Sequence, residues 1–337
     1  MSRIKIGVLG AGAWGKNHVR TISALHDAEL AAVCDMNLAV RETLTREYPA
    51  TFVTDSVDEV LRRVDAVIVA TPARTHAELG LRAIEAGIPT LIEKPFALNV
   101  KDAERLAELA ELRAVPLLVG HLLEYHPVVE RLRAMIEDKS LGDLFYLYSQ
   151  RVNLGQVRPD ENALWSFGPH DVSVALFLLG EAPVTVSAQG HSYLQKGIED
   201  IVFLNLTFKS GVMAHMQMSW LDPHKERRLT VVGSRQMAVF DDMASREKLR
   251  IYDKGVDRPP EYRSYGESLA IREGDIFIPR VANTEPLSAQ LQHFIRVVRR
   301  EQVPRADARD GVRTVRVLEA ASRSLAQGGA PISVEGV

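Results

Sequence analysis

The stretch Ile4-Lys5-Ile6-Gly7-Val8-Leu9-Gly10-Ala11-Gly12-Ala13-Trp14-Gly15 decides the fold of this chain. Its first six residues are typical of a short buried strand, and the Gly-x-Gly-x-x-Gly that follows opens a helical stretch. Glycines at this spacing let the backbone approach a pyrophosphate, whose charge is stabilised at a helix N-terminus. The pattern predicts a dinucleotide site whose first contacts are Gly10, Gly12, Ala13, Trp14 and Gly15.

Asp35 ends the next expected strand, Leu30–Cys34, and lies 20 residues after Gly15. A carboxylate at this position accepts hydrogen bonds from the adenosine ribose hydroxyls and repels a 2′-phosphate. Met36 and Asn37, which follow it, supply no cation for such a phosphate. We therefore expect NAD rather than NADP as the cofactor. The alternative is an Asp35 that only caps the following helix.

Strands and helices alternate through the first 120 residues, with later strands expected at Ala66–Ala70, Thr90–Ile92 and Leu117–Val119. This alternation predicts an α/β fold, a doubly wound parallel Rossmann sheet with helices on both faces. After Pro127 strands follow one another, at Asp143–Asn153, Val184–Tyr193, Ile201–Phe208, Val212–Trp220 and Leu229–Val232. That run predicts a second α/β domain with a large, mostly antiparallel open sheet.

Near the C-terminus, the segment Asp253–Arg280 is rich in Pro, Gly, Asp and Glu and is expected to be a loop. Helices are expected at Ala289–Arg300 and Gly311–Ala326. We divide the chain into an NAD-binding domain, residues 1–122, and a domain for substrate binding and oligomerisation, residues 123–337. The C-terminal helix of the second domain is a candidate to pack back on the first.

Composition excludes several classes of protein. The 44 acidic and 41 basic side chains leave a net charge of −3, without the basic surface that a nucleic-acid partner requires. No apolar run approaches the ~18 residues of a membrane span, and the N-terminus has no signal-peptide pattern. The single cysteine, Cys34, excludes internal disulfides and thiolate zinc clusters. We expect a cytoplasmic protein with no membrane or nucleic-acid partner.

Glu93-Lys94-Pro95 directly follows the expected strand Thr90–Ile92, at the carboxyl edge where α/β sheets bind ligands. A lysine beside a nicotinamide loses its proton more readily when it is partly desolvated or near another cation, and then acts as a general base. The alternative is a solvated lysine on a loop. Because the lysine turns sharply into the cleft, we also expect the Lys94–Pro95 bond to be cis.

A third group, Asn162-Ala163-Leu164-Trp165-Ser166-Phe167-Gly168-Pro169-His170-Asp171, precedes the apolar run Val172–Leu179. His170 and Asp171 are expected at the start of a buried helix, with Pro169 in its first turn. A structural histidine is the alternative to a functional one. No HExxH spacing and no Gly-x-Ser-x-Gly elbow occurs, so we predict no metal site and no hydrolase.

Taken together, Gly10–Gly15, Asp35, Ala70-Thr71-Pro72, Thr75-His76, Glu93-Lys94-Pro95 and Gly168-x-His170 resemble the Gfo/Idh/MocA oxidoreductase family. The resemblance covers essentially the whole chain. It implies a Rossmann domain that binds NAD(P), reversible oxidation of a sugar or cyclitol hydroxyl, and catalysis by Lys94 and His170. The family usually has Asp-x-Gly-x-His where this chain has Ser166, so Lys94 carries more of the proton transfer. Further cofactor contacts are assigned to Thr71, Pro72, His76, Glu93, Lys94, His121 and Trp165.

The run Tyr146–Arg158 and the residues around Asn162 resemble a branch of this family from polysaccharide and lipid A (lipopolysaccharide) pathways. Its members are nucleotide-sugar 3-dehydrogenases acting on UDP-N-acetylglucosamine or a relative, and Ser166 is normal there. Two arginines offer forks for a diphosphate and two asparagines suit sugar hydroxyls or an N-acetyl group; solvated arginines are the alternative. The expected substrate contacts are Lys94, Tyr125, Arg151, Asn153, Arg158, Asn162, Trp165 and His170.

We therefore expect an enzyme that oxidises the C3 hydroxyl of a nucleotide sugar by hydride transfer to NAD. Alternatives are an inositol or free-sugar dehydrogenase, a 3-ketoreductase of deoxysugar synthesis, and a non-catalytic NAD-binding protein. Met213, His215, Gln217 and Ser219 alternate with the core residues of their strand and face the other side of the second sheet. Because predicted helices do not cover that side, we expect a homo-oligomer, a dimer or tetramer, assembled through it.

Overall fold

The computed structural model describes residues 2–155, 157–159, 161–257 and 270–334. The chain forms two compact units. The first unit comprises Met1–Tyr125 and Thr284–Arg316, and the second comprises His126–Asn283 and Val317–Val337. The boundary expected after residue 122 thus lies after residue 125, and the segment 284–316, expected in the second domain, belongs to the first unit.

The first unit contains a parallel sheet whose strand order is β3-β2-β1-β4-β5-β6. This order is the one expected for a doubly wound Rossmann sheet, so the predicted fold class is confirmed. Strand β3, at one edge of the sheet, was not predicted, because two of its three residues are only partly buried, whereas the equally short β5 and β6 are fully buried. The strands are β1 (Ile4–Leu9), β2 (Ala28–Cys34), β3 (Phe52–Thr54), β4 (Ala66–Val69), β5 (Thr90–Ile92) and β6 (Leu117–Val119).

The described helices are α1 (Gly15–Ala24), α2 (Leu38–Glu47), α3 (Val57–Leu61), α4 (His76–Glu85), α5 (Val100–Arg113), α6 (Pro127–Glu137), α7 (Ala163–Leu179), α8 (Pro286–Val298) and α9 (Ala308–Ala326). Helix α8 explains why a late segment belongs to the first unit. Its buried residues Leu287, Leu291 and Phe294 share one hydrophobic core with Ile6 of β1 and Ile22 of α1. Burying such side chains stabilises by about 1.5–3 kcal/mol each, which fixes α8 against that sheet.

The second unit contains a larger sheet in the order β14-β13-β12-β11-β7-β10-β9-β8-β15. Its strands are β7 (Leu144–Val152), β8 (Pro183–His191), β9 (Ile201–Phe208), β10 (Met213–Ser219), β11 (Glu226–Gly233), β12 (Met237–Asp241), β13 (Leu249–Asp257), β14 (Ala270–Phe277) and β15 (Ile332–Ser333). Among the described strand pairings of this second sheet, only that of β7 with β10 is parallel, so the mostly antiparallel sheet is confirmed.

The expectation of a loop over Asp253–Arg280 is wrong for residues 253–257 and for Ala270–Phe277, because β13 and β14 pair there. The two strands carry charged side chains, so their sequences show no apolar alternation. Lys254 lies 3.7 Å from Glu273, and Arg272 lies 3.4 Å from Asp253, across the strand pair. Strands at the edge of a sheet carry charges that prevent further pairing, so they lack an apolar alternation. Residues 258–269 of the segment lie outside the described part of the chain.

A helix covers one face of the second sheet, and the opposite face carries exposed side chains. Helix α7 packs against β7, β9 and β10, on the face where Leu147, Ala214 and Met216 are buried. The opposite face, which we call the open face, presents the exposed side chains of Tyr146, Tyr148, Phe203 and Met213.

Candidate active site

The glycine-rich loop after β1 fits a pyrophosphate. Gly10 has a positive φ of 86°, and a Cβ on Gly15 would lie 1.9 Å from the Gly10 carbonyl oxygen, so the packing of the turn requires both glycines. A Cβ on Gly12 would meet nothing within 4 Å, so the space beside this residue is open. Helix α1 starts there without a side-chain cap, and the N-terminus of a helix favours an anion, although its Lys16 and Asn17 amides already donate to the Gly12 and Trp14 carbonyls.

Asp35 lies beside the same loop, where the sequence placed it. Its Oδ2 accepts a hydrogen bond from the Ala11 amide and its Oδ1 one from the Asn37 amide, both at 2.8 Å. Each carboxylate oxygen keeps a second lone pair, so Asp35 remains able to bind ribose hydroxyls. Sequence reasoning missed Arg41, which α2 brings to this turn. Its guanidinium donates to the Asp35 carbonyl and lies 3.2 Å from the Asp55 carboxylate.

Glu93 joins the end of β5 to the glycine-rich loop. Its Oε1 accepts hydrogen bonds from Trp14 Nε1 and His18 Nε2, both at 2.7 Å, and its Oε2 accepts one from the Lys94 amide at 3.1 Å. Burial acts to raise the pKa of Glu93, but the donors from His18 and Trp14 outweigh it and hold the pKa below its usual value. His18 was not predicted, although its place one helical turn after Trp14 signals a shared partner.

His76 connects the turn after β4 to the turn after β5. Its Nδ1 lies 2.8 Å from the Pro95 carbonyl oxygen, and its Nε2 lies 2.8 Å from that of Thr71, which precedes Pro72 in the first turn. Burial lowers the pKa of His76, whereas the contacts with the Pro95 and Thr71 carbonyls act to raise it. The Lys94–Pro95 bond is cis, as expected. His76, predicted to contact the cofactor, thus directs both nitrogens at the chain itself.

Two residues that the sequence predicted as ligand contacts, His121 for the cofactor and Tyr125 for the substrate, follow β6. His121 is buried, with Nδ1 3.1 Å from Glu124 Oε1. Tyr125 is buried as well: the Arg305 guanidinium lies 4.9 Å from the centre of its ring, and the His293 ring lies 5.5 Å away. The structure therefore gives Tyr125, expected to contact substrate, a packing contact with the segment 284–316.

In the second unit, helix α7 begins at Ala163, earlier than predicted, and Pro169 lies inside it. Asn162 sets this start, because its side-chain oxygen accepts the Trp165 amide at 3.1 Å while its amide group donates to Glu199 at 2.6 Å. The indole of Trp165 donates to Ser322 Oγ at 3.0 Å. Asn162 and Trp165, both predicted to bind ligands, therefore also fix the helix that carries His170.

The two arginines predicted to bind a diphosphate each contact a carboxylate. Arg151 forms a two-point pair with Asp171, and the exposed Arg158 lies 3.0 Å from the half-buried Glu161. The side-chain amide of Asn153 lies over Gly155, where an added Cβ would be 2.4 Å from its Nδ2. The structure thus brings Arg151 next to Asp171, the residue that follows His170, whereas Arg158 pairs with a residue only three positions later in the sequence.

Within the described ranges, no three His, Cys, Asp or Glu side chains are grouped as metal ligands. None of the helices in the same ranges combines the length and apolarity that crossing a bilayer requires. Among the predicted residues, the first unit brings together the glycine-rich loop, Asp35, Glu93 and Lys94. His170 belongs to the second unit.

Comparison with known proteins identifies both parts of the chain. Residues 4–121 match the Gfo/Idh/MocA model described as an oxidoreductase family with an NAD-binding Rossmann fold. Residues 129–239 match the C-terminal domain model of the same family. The first unit is an NAD-binding Rossmann domain, in agreement with the loop geometry.

Full-length relatives extend this result. The chain is 28% identical to the UDP-N-acetylglucosamine 3-dehydrogenase of Acidithiobacillus ferrooxidans over 95% of this chain and 96% of that protein. A solved structure of that enzyme is 26% identical, with a TM-score of 0.82 and coverage of 97% of this chain and 99% of that one. The chain is 26% identical to an inositol 2-dehydrogenase of Rhizobium meliloti, over 96% of this chain and 97% of that protein.

A solved structure from Magnetospirillum magnetotacticum MS-1 is 33% identical, with a TM-score of 0.81, over 95% of this chain and 100% of that one. The shared fold, the two matching models and these similarities agree with the motifs at the carboxyl edge of the first sheet. This chain therefore belongs to the Gfo/Idh/MocA family of oxidoreductases.

Proposed function

We propose that this oxidoreductase oxidises the C3 hydroxyl of a nucleotide sugar, UDP-N-acetylglucosamine or a relative, to a 3-keto sugar. The observation that carries the proposal is the similarity along nearly the whole chain to a UDP-N-acetylglucosamine 3-dehydrogenase. NAD supplies the hydride acceptor when it is bound. The remaining chemistry, removal of the hydroxyl proton and orientation of the sugar, falls to side chains of the protein.

Lys94 is the proposed general base. It follows Glu93, whose carboxylate holds the glycine-rich loop, so the lysine is fixed to the same structural element that binds the cofactor. The preceding strand ends at the carboxyl edge of the sheet, where ligands bind in this fold. A base at this place takes the proton of the hydroxyl group as the hydride leaves the carbon that bears this group.

His170 is the proposed second catalytic group, which orients the same hydroxyl or shares its proton. Its helix is held at its first turn by Asn162 and Trp165. The next residue, Asp171, is held by Arg151. We assign Arg151 a positioning role through Asp171, and leave Arg158 and Asn153 as proposed contacts of the nucleotide sugar.

Asp35 supports a preference for NAD over NADP. A 2′-phosphate on the adenosine ribose would meet its carboxylate at the end of β2. Arg41, the cation nearest this turn along α2, is already hydrogen-bonded to the Asp35 and Met36 carbonyls. It also pairs with Asp55, which reduces its capacity to bind a further anion.

The open face of the second sheet is the proposed interface of a homo-oligomer. Tyr146 and Tyr148 stack there with ring centres 6.4 Å apart, and the Phe203 ring stacks on His215 at 6.1 Å. Exposed aromatic side chains on one face of a sheet form an apolar patch that a second copy of the chain would bury.

Oxidation of an inositol is the second candidate, favoured by the full-length similarity to an inositol 2-dehydrogenase. Both substrates would present a secondary ring alcohol to the same base, but only the sugar carries a nucleotide. The experiment is a screen of UDP-sugars and inositols with the purified protein and NAD, followed by NADH formation. Turnover of UDP-N-acetylglucosamine supports the proposal, whereas turnover of inositols alone overturns the substrate class.

A further inference from the structure

Two titratable side chains, His121 and Glu124, lie buried against one another just past β6. Their exposures are 2% and 3%, and His121 Nδ1 is 3.1 Å from Glu124 Oε1. Burying a carboxyl group costs several kcal/mol unless its partners compensate, so an apolar residue at this place would favour folding more. Perturbed titratable groups at a ligand-binding edge are candidates for a functional role. We call this pair the His121–Glu124 dyad.

The dyad adjoins the proposed base through the register of two strands. Ile92 of β5 lies opposite Val119 of β6, and the Gly120 amide donates to the Ile92 carbonyl at 2.7 Å. A Cβ on Gly120 would lie 2.9 Å from Glu93 Oε2, so the chains remain side by side one residue further. Lys94 and His121 therefore leave neighbouring strand ends at the same edge of the sheet.

We propose that the His121–Glu124 dyad receives the proton that Lys94 takes from the substrate alcohol, an inference that rests on the proposed function. In the oxidation the C–H bond breaks and its two electrons leave with the hydride, while the O–H proton passes to the Lys94 amine. The Lys94 ammonium then gives this proton to His121 Nε2, and His121 Nδ1 gives its own proton to the Glu124 carboxylate. In the reducing direction the same proton returns to the alcohol oxygen.

The surroundings of Glu124 fit a proton acceptor. Burial raises the pKa of Glu124 more than the hydrogen bond from His121 lowers it. Two further charged groups face it: Asp310 acts to raise the pKa and Arg305 to lower it. The Arg305 guanidinium donates to the Glu124 carbonyl oxygen at 2.9 Å. A carboxyl group whose pKa is raised takes a proton closer to neutral pH than an ordinary one.

Glu124→Gln tests the relay, because glutamine keeps the shape and the acceptor for His121 but takes no proton. We expect kcat to fall by up to about 100-fold, the lower end of what a general acid–base group contributes, with the dissociation constant of NAD unchanged. The decline of parental kcat as pH falls through the raised pKa should disappear in the variant. Added imidazole buffer, an external proton acceptor, should restore part of kcat. Glu111→Gln, at an exposed site on α5, is the matched control and should behave as the parent.

A second readout needs no substrate and separates this inference from the proposed function. Infrared difference spectra of the cofactor-free protein, parent minus Glu124→Gln, follow protonation of this one carboxyl group. The relay predicts a midpoint above the ordinary glutamate value of 4.5. A midpoint at or below 4.5 overturns the relay whatever alcohol the protein oxidises. Loss of kcat with a lowered melting temperature, an unmoved pH profile and no rescue by imidazole overturns it as well, because these mark a structural role.

Discussion

Arg151 and Asp171 form a two-point ion pair, in which Nε lies 2.7 Å from Oδ2 and Nη2 lies 3.1 Å from Oδ1. The two side chains are 11% and 8% exposed, so water screens the pair little. Because Asp171 directly follows His170, the pair connects β7 to the part of α7 that carries the proposed catalytic histidine. A bidentate arginine contact fixes direction as well as distance.

Removing one partner of this pair should destabilise the second unit. Arg151→Met leaves the Asp171 carboxylate buried without its counter-charge, at a cost of about 3–5 kcal/mol in the free energy of unfolding. Arg250→Met is the matched control in the same unit, because its pair with Glu247 is exposed on both sides and its loss should change the free energy of unfolding little. Urea unfolding followed by tryptophan fluorescence measures both. Equal losses in the two variants would contradict the positioning role of Arg151.

Asp35→Asn should change cofactor preference. The variant loses the charged acceptor for the ribose hydroxyls, so the NAD dissociation constant should rise about tenfold. The repulsion of a 2′-phosphate disappears as well, so NADP affinity should stay the same or increase. Titration calorimetry with both cofactors measures the two constants. Asp58→Asn, at an exposed site on α3, is the control. Parallel losses for both cofactors, or a parent that binds NADP more tightly, would refute the assignment.

The stability of the first unit should depend on the ionisation of Glu93. Its pKa in the folded state lies below the ordinary value of 4.5, so the carboxylate stabilises the unit fully above pH 4.5. This contribution is lost as pH falls below 4.5 through the lowered pKa. Glu93→Gln should therefore be less stable than the parent at pH 7 and should flatten the loss of stability in acid. Unfolding midpoints from pH 7 to pH 3 measure this.

The matched control for Glu93 is Glu285→Gln, which removes an exposed carboxylate paired with Arg20 in the same unit. It should leave the pH dependence of the parent in place. A Glu93→Gln curve parallel to the parental one would show that the contacts with Trp14 and His18 do not depend on the charge.

Tyr148→Glu should dissociate the proposed homo-oligomer. The substitution places a charge within the stacked tyrosines of the open face, where a second copy would desolvate it. Light scattering at micromolar concentration should give a dimer or tetramer for the parent and a monomer for the variant. Leu112→Glu, at an exposed site on α5, should leave the assembly intact. A monomeric parent at that concentration would remove the proposed interface.

The sequence predicted most of the first unit because its signals are local. The glycine spacing, the acid after β2 and the lysine after β5 each lie within a few residues of the strand that positions them. The position of α8 could not be predicted, because its apolar face finds its partners in β1 and α1, more than 250 residues earlier in the chain. Contacts of that separation leave no periodic signal in either segment.

Side-chain partners were the least predictable part of the candidate site. Arg151 read as a phosphate ligand because a lone arginine on a strand suggests an anion, and its carboxylate partner lies 20 residues later on a helix. Glu93, Lys94 and Pro95 were found by their position, whereas the hydrogen bonds of Glu93 to Trp14 and His18 required the folded sheet. The type of a residue predicts which chemistry its side chain could perform. Its hydrogen-bond and ion-pair partners in the folded chain decide whether the side chain is available to a ligand.

The most direct test of the account is NADH formation from UDP-N-acetylglucosamine by the parent and by Lys94→Ala. A general base contributes about 10²–10⁴-fold, so kcat should fall by that factor while the dissociation constant of NAD is unchanged. His170→Ala, measured beside it, should cost somewhat less. This result would assign proton removal to Lys94. Turnover by Lys94→Ala at the parental rate would contradict the account.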